Sequence, residues 1–256
     1  MRRLPFLLAA LALLLSLQLC PSLAAPAQAE EIIVSAAASL TNALDVVKKD
    51  FEATHPGVTV TANYGASGAL LKQMENGAPV DVFASADQKT MDEAAAKGLI
   101  NPATRRNFVK NGLALVVPAD SKLSLKTERD LAQAGVQRIA LGNPETVPAG
   151  RYAQECLVGA GLWDSLKPKY IFGNTVRQVL DYVVRGEVDA AFVFATDARQ
   201  AGAKVRVVRE ADTKAPALYP VAVCSNSKKP AAKAFADYLL SAEGQRALGS
   251  FGFGKP

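Results

Sequence analysis

The sequence predicts an α/β protein of two lobes, each built on a mainly parallel sheet flanked by helices, and three observations carry that expectation. Apolar runs of strand length alternate with segments whose apolar residues recur at helical spacing, first over residues 32–96 and again over residues 136–208. A polar stretch at residues 119–129 separates the two series, and both follow one scheme. Helices repeatedly begin just after a strand, in turns of small residues with a hydroxyl or a proline where the helix starts; in a parallel sheet such turns gather at the carboxyl ends of the strands, where ligands bind.

The first strand covers residues 32–34 and passes through three alanines to Ser39. Leu40, Ala43, Leu44, Val47 and Phe51 then recur at helical spacing, which puts Ser39 at or beside a helix N-cap. His55-Pro56-Gly57 ends that helix, with His55 as a residue compatible with the negative end of its dipole, and residues 58–61 read as a strand. Asn63-Tyr64-Gly65-Ala66-Ser67-Gly68 repeats the device, placing Ser67 at the start of a helix that carries Leu70, Leu71 and Met74. After Gly77-Ala78-Pro79, a strand over residues 80–84 leads to a helix from Asp87 through Ala96, closed at Gly98. Asp87 is a favourable N-cap, and both it and Asp81 read as structural.

Residues 108–118, FVKNGLALVVP, are apolar and extended. Beyond the polar boundary, residues 136–141 form a strand and GNPETVPAG at residues 142–150 leads into a helix through Leu157. Pro148 fits its first position, so the next N–H groups, that of Ala149 among them, have no acceptor within the helix. Trp163 falls in a connecting turn, residues 170–172 form a short strand, and Asn174 caps a helix whose first-turn donors include the Val176 N–H. Residues 188–194 read as a buried strand, Thr196-Asp197 opens a short helix, and residues 205–208 form one more strand. After a turn-rich loop at residues 212–217, LYPVAVC at residues 218–224 is extended and carries the chain back to the first lobe, followed by helical segments at residues 231–240 and 242–248. The lobes on this reading are residues 30–112 plus 219–256, and residues 113–218.

The N-terminus stands apart. Arg2 and Arg3 precede an apolar run over residues 4–19, and Ala27-Gln28-Ala29 is a small-x-small cleavage pattern, so residues 1–29 read as a secretory signal and the mature chain begins at Glu30. A membrane anchor is the rival reading, opposed by Pro5, Gln18 and Pro21 within the run; a lipoprotein signal at Cys20 is opposed by Leu19, where such signals carry a small residue. The net charge of +5, two units of which come from Arg2 and Arg3, is only mildly basic in the mature chain, and Lys48-Lys49, Arg105-Arg106 and Lys228-Lys229 are scattered pairs rather than a nucleic-acid patch. An oxidising compartment permits a disulfide between Cys156 and Cys224, but their places in a helix and a strand favour two buried free thiols. One histidine and no cysteine pair in metal spacing argue against a transition-metal site.

Chemistry therefore rests on four helix starts, Ser39, Ser67, Ala149 and Val176, two per lobe. A single serine at a helix start is most simply a cap; recurrence of the device in both halves favours a shared ligand. Should the lobes face each other across a cleft, the four sets of hydroxyl and amide donors converge. Neutral donors at positive helix ends suit a fully ionised oxyanion, which needs no proton acceptor from the protein.

AAASLTNAL at residues 36–44, GASGAL at 65–70, GAPVDVFASADQ at 77–88, GNPETVPAGRYA at 142–153 and YPVAV at 219–223 resemble, in order and over nearly the whole mature chain, the periplasmic molybdate-binding proteins of ABC importers. The resemblance implies a two-lobed type II periplasmic binding fold that closes over molybdate or tungstate in the interlobe cleft, with no cofactor, no catalysis and no direct protein–metal bond. It implies contacts from the hydroxyl and amide of Ser39, the hydroxyl and amide of Ser67, and the amides of Ala149 and Val176. Delivery would be by a periplasmic monomer to a membrane ABC permease. One departure stands out: the best-known members carry a tyrosine hydroxyl at the position of Phe194 in AFVFATDA. A lost hydrogen bond to a charged partner is worth roughly 1.5–3 kcal/mol, and Thr196 is a candidate replacement donor.

Other readings remain open on sequence alone. Sulfate, thiosulfate or another tetrahedral oxyanion fits the same donors, with cavity size deciding. A secreted serine hydrolase would use Ser67, but Gly65-Ala66-Ser67-Gly68-Ala69 is not G-x-S-x-G, and His55 beside Pro56 has no evident partner acid. A receptor-like module that hands a signal to a membrane partner would carry the same site.

Overall fold

The computed structural model describes residues 29–256. The signal-peptide reading falls on residues 1–28, outside that range, as does Cys20.

Two five-stranded sheets organise the chain. The first contains β1 (Glu30–Ala37), β2 (Val58–Gly65), β3 (Val82–Ala84), β4 (Arg106–Asn111) and β10 (Ala217–Val223), in the order β2-β1-β3-β10-β4. The second contains β5 (Leu113–Pro118), β6 (Ile139–Gly142), β7 (Tyr170–Gly173), β8 (Ala190–Phe194) and β9 (Val205–Glu210), in the order β7-β6-β8-β5-β9. Each has a parallel trio and one strand running against its neighbours: β10 is antiparallel to β3 and β4, and β5 to β8 and β9. The two orders are the same scheme, with the antiparallel strand of each sheet, β10 or β5, being the first strand after the chain crosses into that sheet. The mixed α/β class is thus the expected one, with antiparallel members that periodicity alone did not distinguish.

Burial explains which strands are central. All of β8 is buried, as are Ile32, Val34 and Ala36 of β1, and near-continuous apolar runs are what a strand covered by helices on both faces requires. The main helices are α1 (Thr41–Thr54), α2 (Ser67–Glu75), α3 (Gln88–Ala96), α4 (Pro148–Gly159), α5 (Trp163–Leu166), α6 (Val176–Val184), α7 (Ala195–Ala201), α8 (Pro230–Tyr238) and α9 (Ala242–Ser250). On α1 the buried residues are Ala43, Leu44, Val47 and Phe51, the stripe read from the sequence. Phe51 meets Phe235 of α8 edge-on at 5.2 Å, so the terminal helices pack back on the first. His55 stacks on Phe51 at 3.9 Å, with Nδ1 2.9 Å from the Phe51 carbonyl, a structural role at the helix end.

Several expectations are corrected. Residues 108–118 are not one extended stretch: the chain leaves β4 of the first sheet at Asn111, passes Gly112, and enters β5 of the second at Leu113. The cap of α6 is Thr175, whose hydroxyl accepts from the Gln178 N–H at 3.1 Å, rather than Asn174, whose own N–H donates to the Gln178 side chain. Trp163 begins the short helix α5 instead of lying in a turn, and the strand expected over residues 80–84 is confined to β3. Ser39 does lie beside the N-cap of α1, Leu40, but inside a one-turn 3-10 helix, Ala38–Leu40, and no side chain supplies a cap bond there.

Asp87 does cap α3, accepting from the Thr90 N–H at 3.2 Å. Asp81 accepts from the Ile33 N–H at 2.8 Å and Lys229 at 2.9 Å, which ties β1 to the segment before α8. Cys156 and Cys224 are free and buried, and burial pushes their thiols up to about 11 and about 12.

Candidate oxyanion cleft

At the carboxyl ends of the parallel trios the two sheets face each other, and between them lies a small cavity of about 10 Å³. One wall is made by Ala37, Ala38 and Ser39 at the end of β1 and just past it, Gly65, Ala66 and Ser67 at the end of β2 and just past it, and Ala86 after β3. The opposite wall is made by Val147, Pro148 and Ala149 after β6, Val176 after β7, and Phe194 at the end of β8. All four helix starts singled out in the sequence, with Phe194, therefore line one cavity. Thr196 is not among the lining residues; its hydroxyl accepts from Asn111 Nδ2 at 2.8 Å.

Local sequence places each donor. Ser67 is the first residue of α2 and Val176 the first of α6, while Pro148 occupies the first position of α4 and leaves Ala149 second. First-turn N–H groups have no acceptor within their own helix, and among the described residues no bond between elements uses the N–H of Ser39, Ser67, Ala149 or Val176. The Ser67 hydroxyl accepts from the Ala86 N–H at 3.0 Å, and the Ser39 hydroxyl lies 2.9 Å from that of Tyr219. No lining residue is charged. The cavity combines converging N–H and O–H donors with alanine, valine and phenylalanine surface, which suits a small, compact anion stabilised by dipoles in a water-poor space.

Glycines let the walls approach. At Gly150 an added Cβ would fall 2.0 Å from the Gly142 carbonyl oxygen, so α4 can abut β6 only without a side chain there. The Gly68 N–H donates across the cleft to the Thr146 carbonyl at 2.9 Å, and a Cβ at Gly68 would lie 2.8 Å from that oxygen.

Charged contacts hold the walls together outside the cavity. Arg151 of α4 reaches across to the cap of α3, with Nε 2.7 Å from Asp87 Oδ2 and Nη2 2.7 Å from Thr90 Oγ1. Arg177 of α6 donates to the Ser39 carbonyl at 3.3 Å and lies 2.7 Å from the fully buried Asp197. That ion pair is poorly aligned, so neither carboxylate oxygen of Asp197 receives a well-directed hydrogen bond. Burial raises Asp197 to about 6 despite the Arg177 charge.

Arg151, Arg177, Asn111 and Tyr219 escaped the sequence reading. A signal for the two arginines was present: each falls in the first turn of a helix, where the dipole disfavours a cation unless a specific partner holds it. Tyr219 lay within a quoted motif but read only as an apolar strand residue. Among the described residues no cluster of three or more His, Cys, Asp or Glu is placed to hold a metal ion, and no helix is long and apolar enough to cross a membrane.

A cleft between two sheets of matching strand order, lined from both sides by helix starts, defines a two-lobed solute-binding protein. The chain belongs to the bacterial extracellular solute-binding proteins, whose family model matches residues 32–254. This is a solute-binding family, not an enzyme family. YvgL of Bacillus subtilis (strain 168), provisionally named an ABC transporter substrate-binding lipoprotein, is 40% identical over 225 residues, covering 87% of this chain and 85% of the relative. The molybdate-binding protein ModA of Escherichia coli (strain K12) is 39% identical over 230 residues, covering 87% and 88%. A solved substrate-binding domain of a molybdenum ABC transporter from Clostridium difficile, also provisionally so named, aligns with a TM-score of 0.67 at 41% identity, covering 88% of this chain and 99% of that one.

Proposed function

We propose that this protein captures molybdate, with tungstate as a close competitor, and delivers it to the membrane permease of an ABC importer. The observation that carries the reading is the single cavity onto which Ser39, Ser67, Ala149 and Val176 converge from both sheets, with no charged lining residue. The hydroxyls and amides of Ser39 and Ser67 and the amides of Ala149 and Val176 donate to the anion's oxygens; the molybdenum stays within its oxide shell and meets no protein atom directly. Relatives named for molybdate, one of them 39% identical over nearly the full chain, support the choice of ion. Lobe I, residues 30–112 plus 219–256, and lobe II, residues 113–218, separate to admit the ligand and close on it by bending where the chain crosses between sheets, at Gly112 and between β9 and β10. The mature protein begins at Glu30 and works as a periplasmic monomer.

Selection against sulfate follows from size. Both ions are tetrahedral dianions, and a cavity fitted to the larger leaves the oxygens of the smaller short of several donors. Phe194, which lines the cavity without a hydroxyl, is the one feature that favours sulfate or thiosulfate as a second reading. Isothermal titration of the mature chain with molybdate, tungstate and sulfate decides between them. One-to-one binding of the first two with sulfate silent is expected; binding of sulfate alone, or of none, overturns the assignment.

A further inference from the structure

We propose that Asn111 and Tyr219 form a hydrogen-bond relay that fixes the Ser39 hydroxyl as a donor into the cavity; the inference rests on reading the cavity as an oxyanion site. The relay follows from counting hydrogens. Asn111 Oδ1 accepts from the N–H of Gly112 at 3.0 Å and of Thr196 at 3.4 Å. These two donors set the orientation of the amide, because the swapped arrangement would press an NH2 group against two N–H groups. Asn111 Nδ2 therefore donates, to Thr196 Oγ1 at 2.8 Å and to the Tyr219 hydroxyl oxygen at 3.2 Å.

Tyr219, having accepted that hydrogen, has one of its own to give, and Ser39 Oγ lies 2.9 Å away. The phenol is fully buried, and burial holds it well above its ordinary range, so the hydrogen is always present. Ser39 Oγ thus receives a hydrogen from behind, which leaves its own free to donate into the cavity that Ser39 lines. Ser67 reaches the same state more directly, since its oxygen accepts from the Ala86 N–H. A serine hydroxyl left free to rotate would present a lone pair to the ligand as readily as a hydrogen. Here both serines are committed as donors before the anion arrives, and both discriminate against any ligand that must itself donate.

A double-mutant cycle read by isothermal titration with molybdate tests the relay, using the wild type, Tyr219→Phe, Ser39→Ala and the double variant. Tyr219→Phe is expected to weaken binding about tenfold when Ser39 is present and less than twofold when residue 39 is alanine. Equal losses in the two backgrounds would mean that Tyr219 only packs, and no loss would mean that Ser39 needs no orientation; either overturns the relay. Ligand-free thermal unfolding reports whether Tyr219→Phe folds. If it does not, Asn111→Asp replaces it in the cycle: a carboxylate accepts from Tyr219, the relay reverses, and the hydrogen of Ser39 turns away from the anion. Added charge repels the ligand in both backgrounds, so only the excess loss with Ser39 present counts, and its absence overturns the relay. Failure of the wild type to bind molybdate would instead remove the underlying assignment.

Discussion

Gly68→Ala places a methyl group where the two walls of the cleft meet. The added Cβ would lie 2.8 Å from the Thr146 carbonyl oxygen and 2.9 Å from its Cα, whereas ordinary contact begins at 3.4 Å. Both obstacles are backbone atoms, so relief requires that the walls part by about 0.6 Å at this point. Thr146 leads into Val147, Pro148 and Ala149, and the same displacement stretches a hydrogen bond of about 2.9 Å from the Ala149 amide to about 3.5 Å, beyond useful range. One or two bonds to a charged ligand, at roughly 1.5–3 kcal/mol each, are then lost. The expected weakening of molybdate binding by isothermal titration runs from about tenfold, for one bond at the weak end, to about 10⁴-fold, for two at the strong end. The ligand-free protein relieves the clash by resting open, and alanine is the better helix former by about 1 kcal/mol, so its unfolding temperature is expected to hold or rise. Affinity within twofold of wild type would refute the view that closure brings the walls to this spacing.

Three further outcomes follow from the same geometry. Phe194→Tyr adds a hydroxyl at the cavity wall and is expected to tighten molybdate binding about tenfold or more; unchanged affinity in titration would show that the ring position does not face the anion. Arg151→Met removes the clamp on Asp87 and Thr90 while keeping the apolar stem, and is expected to speed molybdate release at least tenfold with a smaller effect on capture. Stopped-flow fluorescence of Trp163, the chain's one tryptophan and a neighbour of Arg151 on a surface groove, reads both rates, and an unaltered release rate would exclude the clamp. Asp197, raised to about 6 from 3.8 by burial, favours the folded state below pH 3.8 and loses that contribution as pH rises through 6. Asp197→Asn lacks this titration, so its stability relative to wild type is expected to increase by roughly 2–3 kcal/mol between pH 4 and pH 7; a constant difference in chemical unfolding would show that Asp197 titrates normally.

Those features legible in the sequence are the ones that depend on neighbours within a few residues. The stripe on α1, proline at the start of α4 and the small-residue turns before Ser39 and Ser67 each follow from local spacing, and the structure brings all four predicted donor positions to one cavity. What escaped depends on distant pairing. Residues 108–118 look continuous because only Gly112 lies between β4 and β5, and only the antiparallel partners β10 and β8, far along the chain, assign them to different sheets. Asn174 and Thr175 are both good cap residues, and the choice falls to Thr175 because its hydroxyl faces the Gln178 N–H. Tyr219 touches Ser39 across 180 residues, a contact that periodicity cannot reveal.

The arginines show why a site for an anion can carry no charged lining residue. Arg151 and Arg177 stand in first turns of α4 and α6, where the helix dipole disfavours them, yet both side chains turn away from the cavity, to Asp87 and Thr90 in one case and to Asp197 and the Ser39 carbonyl in the other. A guanidinium in direct contact with the ligand would bind any anion of suitable size and would release it slowly. Arg151 pairs across the cleft with Asp87, whereas Arg177 pairs with Asp197 on its own side and reaches across only to the Ser39 carbonyl, so neither guanidinium faces the cavity. On the proposed reading, recognition is left to N–H and O–H groups whose positions are set by helix starts, and these would discriminate by distance: an oxyanion that is too small, or that must keep a proton, would fail to satisfy them.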